Sequence, residues 1–190
     1  IIPVEGLPEV TTTFNIGKAI AGQIELCDGD IVAVSQKIVS KSEGRAVRLD
    51  QTDPGTEAIA LAGRTGKDPR LVELILKESR GLVRVDEARG ILVTETNHGF
   101  ICANAGIDQS NTAGGDEAIL LPLDPDGSAR RIRVELEIAS GARTAVIVTD
   151  SFGRAWRHRQ SEVAIGCAGI HPIDDWRGRT DSRGRELTAT

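Results

Sequence analysis

The chain has 190 residues, 39% hydrophobic and 27% charged, which suits one globular domain with a core of its own. Its formal net charge of -5 argues against general nucleic-acid binding, although a local basic cluster can still hold phosphate. No apolar run is long enough to span a bilayer and no basic, apolar, small-residue leader is read at Ile1, so a cytoplasmic protein is expected.

In chain order, Ile2 to Val4 reads as a short strand entering the loop Glu5-Gly6-Leu7-Pro8-Glu9, and Gly17 to Leu26 as a helix. Asp28-Gly29-Asp30 is a turn before the apolar strand Ile31 to Val34. Ser35 to Glu43 follows, carrying Lys37 and Lys41 just after that strand. These lysines are either phosphate contacts or exposed positions on a solvated strand. Pro54 to Ala62 reads as a helix. Asp68-Pro69 starts another, with Asp as cap and Pro in the first turn, and Leu71, Val72, Ile75 and Leu76 recur at helical spacing until Gly81. Three strand-like pieces, Leu82 to Val85, Ile91 to Thr96 and Gly99 to Cys102, lie close together and favour antiparallel pairing. Asp124-Pro125 opens a helix with Ile132, Leu136 and Ala139 on one face. Ala145 to Val148 and Val163 to Ile170 are candidate buried strands. Neighbouring strands mixed with helices predict an α+β fold rather than a regular doubly wound one.

Common nucleotide and metal motifs are excluded. Gly63-Arg64-Thr65-Gly66-Lys67-Asp68 has the wrong glycine spacing for a P-loop, and Asp stands where Ser or Thr would meet magnesium, so a helix cap and loop is expected. His98, His158 and His171 lack zinc-site spacing. Cys27, Cys102 and Cys167 are widely spaced beside apolar runs and read as buried reduced thiols.

Two segments carry candidate chemistry. Asn104-Ala105-Gly106-Ile107-Asp108-Gln109-Ser110-Asn111 follows a strand with small residues and a carboxylate; it is either an Asx-rich turn or a loop that closely approaches a ligand. In Val146-Ile147-Val148-Thr149-Asp150-Ser151-Phe152-Gly153-Arg154, a buried strand ends in a carboxylate and a hydroxyl, the hard oxygen donors that magnesium or manganese takes. Arg154, Arg157 and Arg159 follow, as phosphate partners or as ordinary surface arginines. Together, Asp108 and Asp150 are candidates to hold cations that bridge a triphosphate.

The set Val4-Glu5-Gly6-Leu7-Pro8, Ser35-Gln36-Lys37-Ile38-Val39-Ser40-Lys41-Ser42-Glu43-Gly44, Asn104-Ala105-Gly106-Ile107-Asp108, Leu120-Leu121-Pro122-Leu123-Asp124-Pro125-Asp126-Gly127-Ser128-Ala129 and Thr149-Asp150-Ser151-Phe152-Gly153-Arg154 resembles the coenzyme F420 glutamyl ligase family. Ala164-Ile165-Gly166, Trp176-Arg177-Gly178-Arg179 and Gly184-Arg185-Glu186-Leu187 continue the likeness. The resemblance implies a GTP-dependent ligase adding L-glutamate to a deazaflavin coenzyme precursor through an acyl phosphate, with γ-linkage in later rounds. It implies a two-lobed α+β domain of largely antiparallel sheets with packed helices, an intertwined homodimer, Mg2+ or Mn2+, and K+ as a further candidate ion. It carries divalent-metal roles onto Asp108, Asp150 and Ser151. Nucleotide contacts fall on the loop Leu7, Pro8, Glu9 and Val10 and on Gln36, Lys37, Lys41 and Asn111, with backbone contact expected at Gln36 and Lys37. Ser151 stands where the family commonly has Thr, and Arg159-Gln160-Ser161-Glu162 departs from the usual Gly-Gln-Thr-Asp, leaving glutamate and precursor contacts open. The absence of methionine gives the expectation that the initiator residue is missing, and a family pattern that continues past Thr190 gives that of a single ligase domain over 1–190 lacking its C-terminal segment. The competing readings are a metal-dependent nucleotide phosphohydrolase and a coenzyme-binding domain of a larger two-domain ligase and reductase.

Overall fold

The computed structural model describes residues 1–109, 116–153 and 158–188. The chain is α+β, and its described residues form three small sheets that are antiparallel except for one parallel pair. Residues 1–15 form no strand, against the expectation for Ile2 to Val4. Helix α1 covers Ile16–Ala21, where the Lys18 amide donates to the Asn15 Oδ1 cap at 2.7 Å. It is shorter than expected because the Gly22 and Gln23 amides donate back to the Lys18 and Ile20 carbonyls and close the last turn. Ile24 and Leu26 pack on the core from the following loop instead.

Strand β1, Ile31–Ser35, alternates exposed and buried residues and runs directly into α2, Gln36–Ser42. The reading of 35–43 as a possible solvated strand is thereby corrected. Gln36, Val39 and Ser40 are buried at helical spacing, and the Ser40 hydroxyl donates to Gln36 Oε1 at 3.0 Å. This spacing puts Lys37 and Lys41 one turn apart on another face.

The main sheet has the order β1, β7 (Ala145–Gly153), β8 (Gln160–Ala168). β1 is parallel to β7 with Ser35 opposite Thr149, whereas β7 and β8 are antiparallel with Ser151 opposite Glu162. Helix α5, Pro125–Ser140, covers this sheet; the Gly127 amide donates to the Asp124 cap at 2.9 Å, and Gly141 ends the helix at φ 77°. Ile132 and Leu136 are fully buried, while Ala139 is exposed in the last turn. Truncating either buried residue to Ala costs about 2–5 kcal/mol. The approach of α5 to β8 requires Gly166, because a Cβ there would lie 2.3 Å from the Pro125 carbonyl carbon.

A second hydrophobic cluster joins α3 (Thr56–Thr65) and α4 (Pro69–Lys77) to Leu92, Ala105, Ala118 and Leu120. Asp68 caps α4 as expected, its side chain accepting from the Arg70 amide at 2.8 Å. The helix ends at Lys77, however, and Gly81 lies within the next strand. Gly66 at φ 68° caps α3, which accounts for the apparent P-loop. β3 (Ser79–Asp86), β4 (Ile91–Thr96) and β5 (Ile101–Ala103) form the expected antiparallel meander, and β2 (Ala46–Arg48) pairs with β6 (Glu117–Ile119). Of the thiols, Cys102 is buried and Cys167 half-buried. Cys27 is exposed, correcting the expectation, because it starts a turn in which its amide donates to Asp30 Oδ2 at 2.8 Å.

Candidate active site

Parallel pairing sets the end of β1 beside the middle of β7, which does not stop at Thr149-Asp150-Ser151 as the sequence suggested but runs on to Gly153. Beyond Ser35 the chain turns into α2 and presents Lys37; beyond Thr149 it presents Asp150 and Ser151. The third contribution comes from the segment after β5. Asn104, Ala105 and Gly106 take φ of 52°, 55° and 70°, a left-handed run that only the glycine adopts without strain. Gly106 is also required sterically, since a Cβ there would meet the Leu121 side chain at 2.9 Å. The turn delivers Asp108, whose backbone is fixed on both sides by Ile119: Asp108 N donates to Ile119 O at 3.0 Å and Ile119 N to Asp108 O at 2.8 Å.

Asp108, Asp150, Ser151, Lys37 and Glu162 all line one cavity of about 460 Å³. The Lys37 ammonium sits 2.5 Å from Asp108 Oδ2. The Ser151 hydroxyl donates to Glu162 Oε1 across the strand pair. Burial pushes the Asp150 carboxyl up to about 6, and the Glu162 and Asp108 carboxylates push the same way. The Ser151 backbone amide and the Lys37 ammonium oppose them. Cys102 lines the cavity too, but burial and then the Asp150 charge push its thiol up to about 11, so it stays protonated near neutral pH and is no nucleophile. Behind the cavity, the buried Phe152 ring meets Phe100 edge-on at 5.9 Å, and His98 stacks on Phe100 at 6.1 Å. His98 Nε2 lies 2.8 Å from the Pro122 carbonyl and donates to it, which gives this histidine a packing role.

A second cavity of about 500 Å³ adjoins the first, sharing Ser35 and Lys37 in its wall. Leu7, Pro8, Glu9, Val10 and Lys41 line it, with Lys41 Nζ 2.5 Å from Glu9 Oε1. Gln36 does not join them: its side chain is buried within the fold, Nε2 has no hydrogen-bond partner among the described residues, and it lines neither cavity. Asn111, Arg154 and Arg157 lie outside the described residues, and Arg159 is exposed at φ 74°.

Sequence reasoning named Glu162 only within the segment that departs from the family pattern and gave it no place beside Asp150 and Ser151. The available signal was the antiparallel pairing of β7 with β8, which sets Glu162 opposite Ser151 and Gln160 opposite Gly153. The oxygen donors Asp108, Asp150, Ser151 and Glu162 are of the type that magnesium and manganese prefer, and an Asp150 carboxyl raised by burial and then by its acidic neighbours gains from a cation. The donor chemistry therefore fits a hard divalent ion. Among the described residues, no three His, Cys, Asp or Glu side chains are already gathered around one point as a metal site.

The chain matches the family described as F420-0:Gamma-glutamyl ligase over residues 6–190. It is 46% identical to the coenzyme F420:L-glutamate ligase of Methanothermobacter thermautotrophicus, over 100% of this chain and 76% of that protein. The protein of the same name from Methanocaldococcus jannaschii is 43% identical over 93% of this chain and 69% of its own length. For the Archaeoglobus fulgidus protein, also so named, the figures are 38%, 100% and 75%.

Proposed function

The chain belongs to the F420-0:Gamma-glutamyl ligase family, and on that premise we propose that it is a GTP-dependent ligase that joins L-glutamate to the deazaflavin precursor of coenzyme F420. In this reading the terminal carboxylate of the precursor attacks the γ-phosphorus of GTP, releasing GDP and forming an acyl phosphate. The glutamate amine, having lost a proton, then attacks the acyl carbon and expels inorganic phosphate. The first step brings an anionic carboxylate to an anionic phosphate, so its principal obstacle is charge.

The observation that carries the reading is the pair of adjoining cavities. Carboxylates from distant parts of the chain, Asp108 and Asp150, line one cavity with the Lys37 ammonium between them and a second, lysine-bearing cavity. Lys37 and Lys41, one helical turn apart, are suited to lie along a phosphate chain, and the 7–10 loop lines the same cavity. Asp108, Asp150 and Ser151 would hold Mg2+ or Mn2+, which supplies charge neutralisation of the phosphates. The remaining contribution of the protein is to hold the reactants in line and exclude water.

The test is mass spectrometry of the precursor after incubation with GTP, Mn2+ and L-glutamate. The expected result is a gain of one glutamyl unit, with the rate reduced roughly a hundredfold or more in Asp108→Ala and in Asp150→Ala, as for loss of a group that stabilises developing charge. Unchanged ligation in both variants would remove the metal assignment. GTP turnover that needs neither precursor nor glutamate would point to the phosphohydrolase instead.

A further inference from the structure

The two lysines of α2 are both paired with carboxylates, but the pairs differ in kind. Lys41 is held by Glu9, whose side chain is 79% exposed, so water screens that pair and it is easily exchanged. Lys37 is held by Asp108, and these side chains are only 33% and 26% exposed. The cavity around this second pair also contains Asp150 and Glu162. Withdrawing the Lys37 ammonium would leave half-buried Asp108 without this charge in a cavity where Asp150 already feels the Asp108 and Glu162 carboxylates, which is costly. Lys37 therefore departs readily only when another cation replaces it.

The geometry also identifies the mobile partner. Asp108 is clamped by two backbone hydrogen bonds to Ile119. Lys37 carries its charge on a flexible four-carbon stem and lies in the wall common to both cavities. A divalent cation contacts a carboxylate oxygen at about 2.0–2.6 Å, whereas the ammonium already lies 2.5 Å from Asp108 Oδ2. Two cations so close to one carboxylate repel each other, and the tethered ammonium can move towards the second cavity.

We propose that Lys37 is an exchangeable counter-ion that holds Asp108 until a divalent cation takes that carboxylate, and that the displaced ammonium is then delivered to the phosphate chain in the adjoining cavity. Cation and nucleoside triphosphate are thereby coupled through one side chain. Each tightens the other, as linkage requires, beyond the attraction between metal and phosphate themselves. This inference rests on the ligase reading for the identity of the anion. The exchange at Asp108 does not depend on that reading.

The experiment titrates the folded protein with MnCl2 in the absence of nucleotide, reading free Mn2+ by electron paramagnetic resonance. Lys37→Met is expected to bind Mn2+ about tenfold more tightly than the unaltered chain, because the competing charge is gone. Lys37→Gln, which also removes the charge, should behave alike and guards against a folding defect in one variant. Lys37→Arg keeps the charge and should bind no more tightly than the unaltered chain. In a GTP titration, both neutral variants should show weaker nucleotide binding and a smaller enhancement by Mn2+. Equal or weaker Mn2+ binding in both neutral variants, or no binding in any form, overturns the proposal. Failure of the ligase reading would appear separately, as absence of glutamyl product from the unaltered chain.

Discussion

Asp150 is where burial and charge oppose each other most directly. Its carboxyl is raised to about 6, first by burial and then by Glu162 and Asp108. A carboxyl raised on folding retains a proton that the unfolded chain releases. Its contribution to stability is thus fully present below the ordinary value of 3.8 and is lost as pH rises through about 6. Above that window the metal-free protein holds an unfavourable charge. Asp150→Asn should therefore be more stable than the unaltered chain at pH 7.5 in chelator, by roughly 1–2 kcal/mol once solvent screening of a half-buried group is allowed for. The advantage should shrink towards zero as the pH falls below 4. Urea unfolding of both proteins across this range measures it, and a gap that widened on acidification would contradict the assignment. At this scale the sequence was informative where a carboxylate follows an apolar run, as at Asp150, although β7 does not end there but continues to Gly153 with Asp150 opposite Val163. It did not distinguish Gln36, turned into the fold, from Lys37, turned into the cavities, because only the phase of α2 separates them.

The elements that build the site are held by close packing of α5 against β8. Gly166 permits that approach, and any side chain there meets the Pro125 backbone rather than a flexible side chain that could move aside. Gly166→Ala is expected to cost about 1–3 kcal/mol, the usual range for overpacking, measured as a lower urea midpoint at unchanged slope. A midpoint equal to that of the unaltered chain would show that α5 shifts without strain. The caps at Asp68 and Asp124 were readable because Asp-Pro is a local signal that acts through backbone geometry. The helical state of 36–42 was not. Its buried residues are Gln36, Val39, Ser40 and Ser42, so no apolar stripe marked it, and it is the surrounding fold that buries these residues.

Across the whole molecule, two hydrophobic clusters contrast with an exposed terminal stretch. Residues 169–186 are exposed throughout and are held by local hydrogen bonds, such as Gly178 N to Leu187 O at 2.9 Å and Leu187 N to Arg179 O at 2.8 Å. Arg179 lies over the Trp176 ring at 5.1 Å within the same stretch. Few buried contacts imply low local stability. Limited trypsin digestion should therefore cut at Arg177, Arg179, Arg183 or Arg185 well before Arg133, which lies in α5 and donates to the Thr144 carbonyl. Mass spectrometry of the fragments reads the order, and early cleavage at Arg133 would refute this account. Among the described residues, no helix is long and apolar enough to cross a membrane.

The sequence by itself determined what depends on neighbours in the chain: the Asp-Pro helix starts, the meander of β3 to β5, the cap at Gly66, and motifs specific enough to identify a family. Tertiary structure alone decided that β1 pairs parallel with β7, so that Ser35 lies opposite Thr149 and Lys37 can reach Asp108. It likewise decided that Glu162 joins the cavity and that Cys27 stays outside the core. The physical reason is that caps and turns are set by short-range backbone geometry and side-chain hydrogen bonds. Strand register and the charge environment of a carboxylate depend instead on residues that only the folded chain brings together.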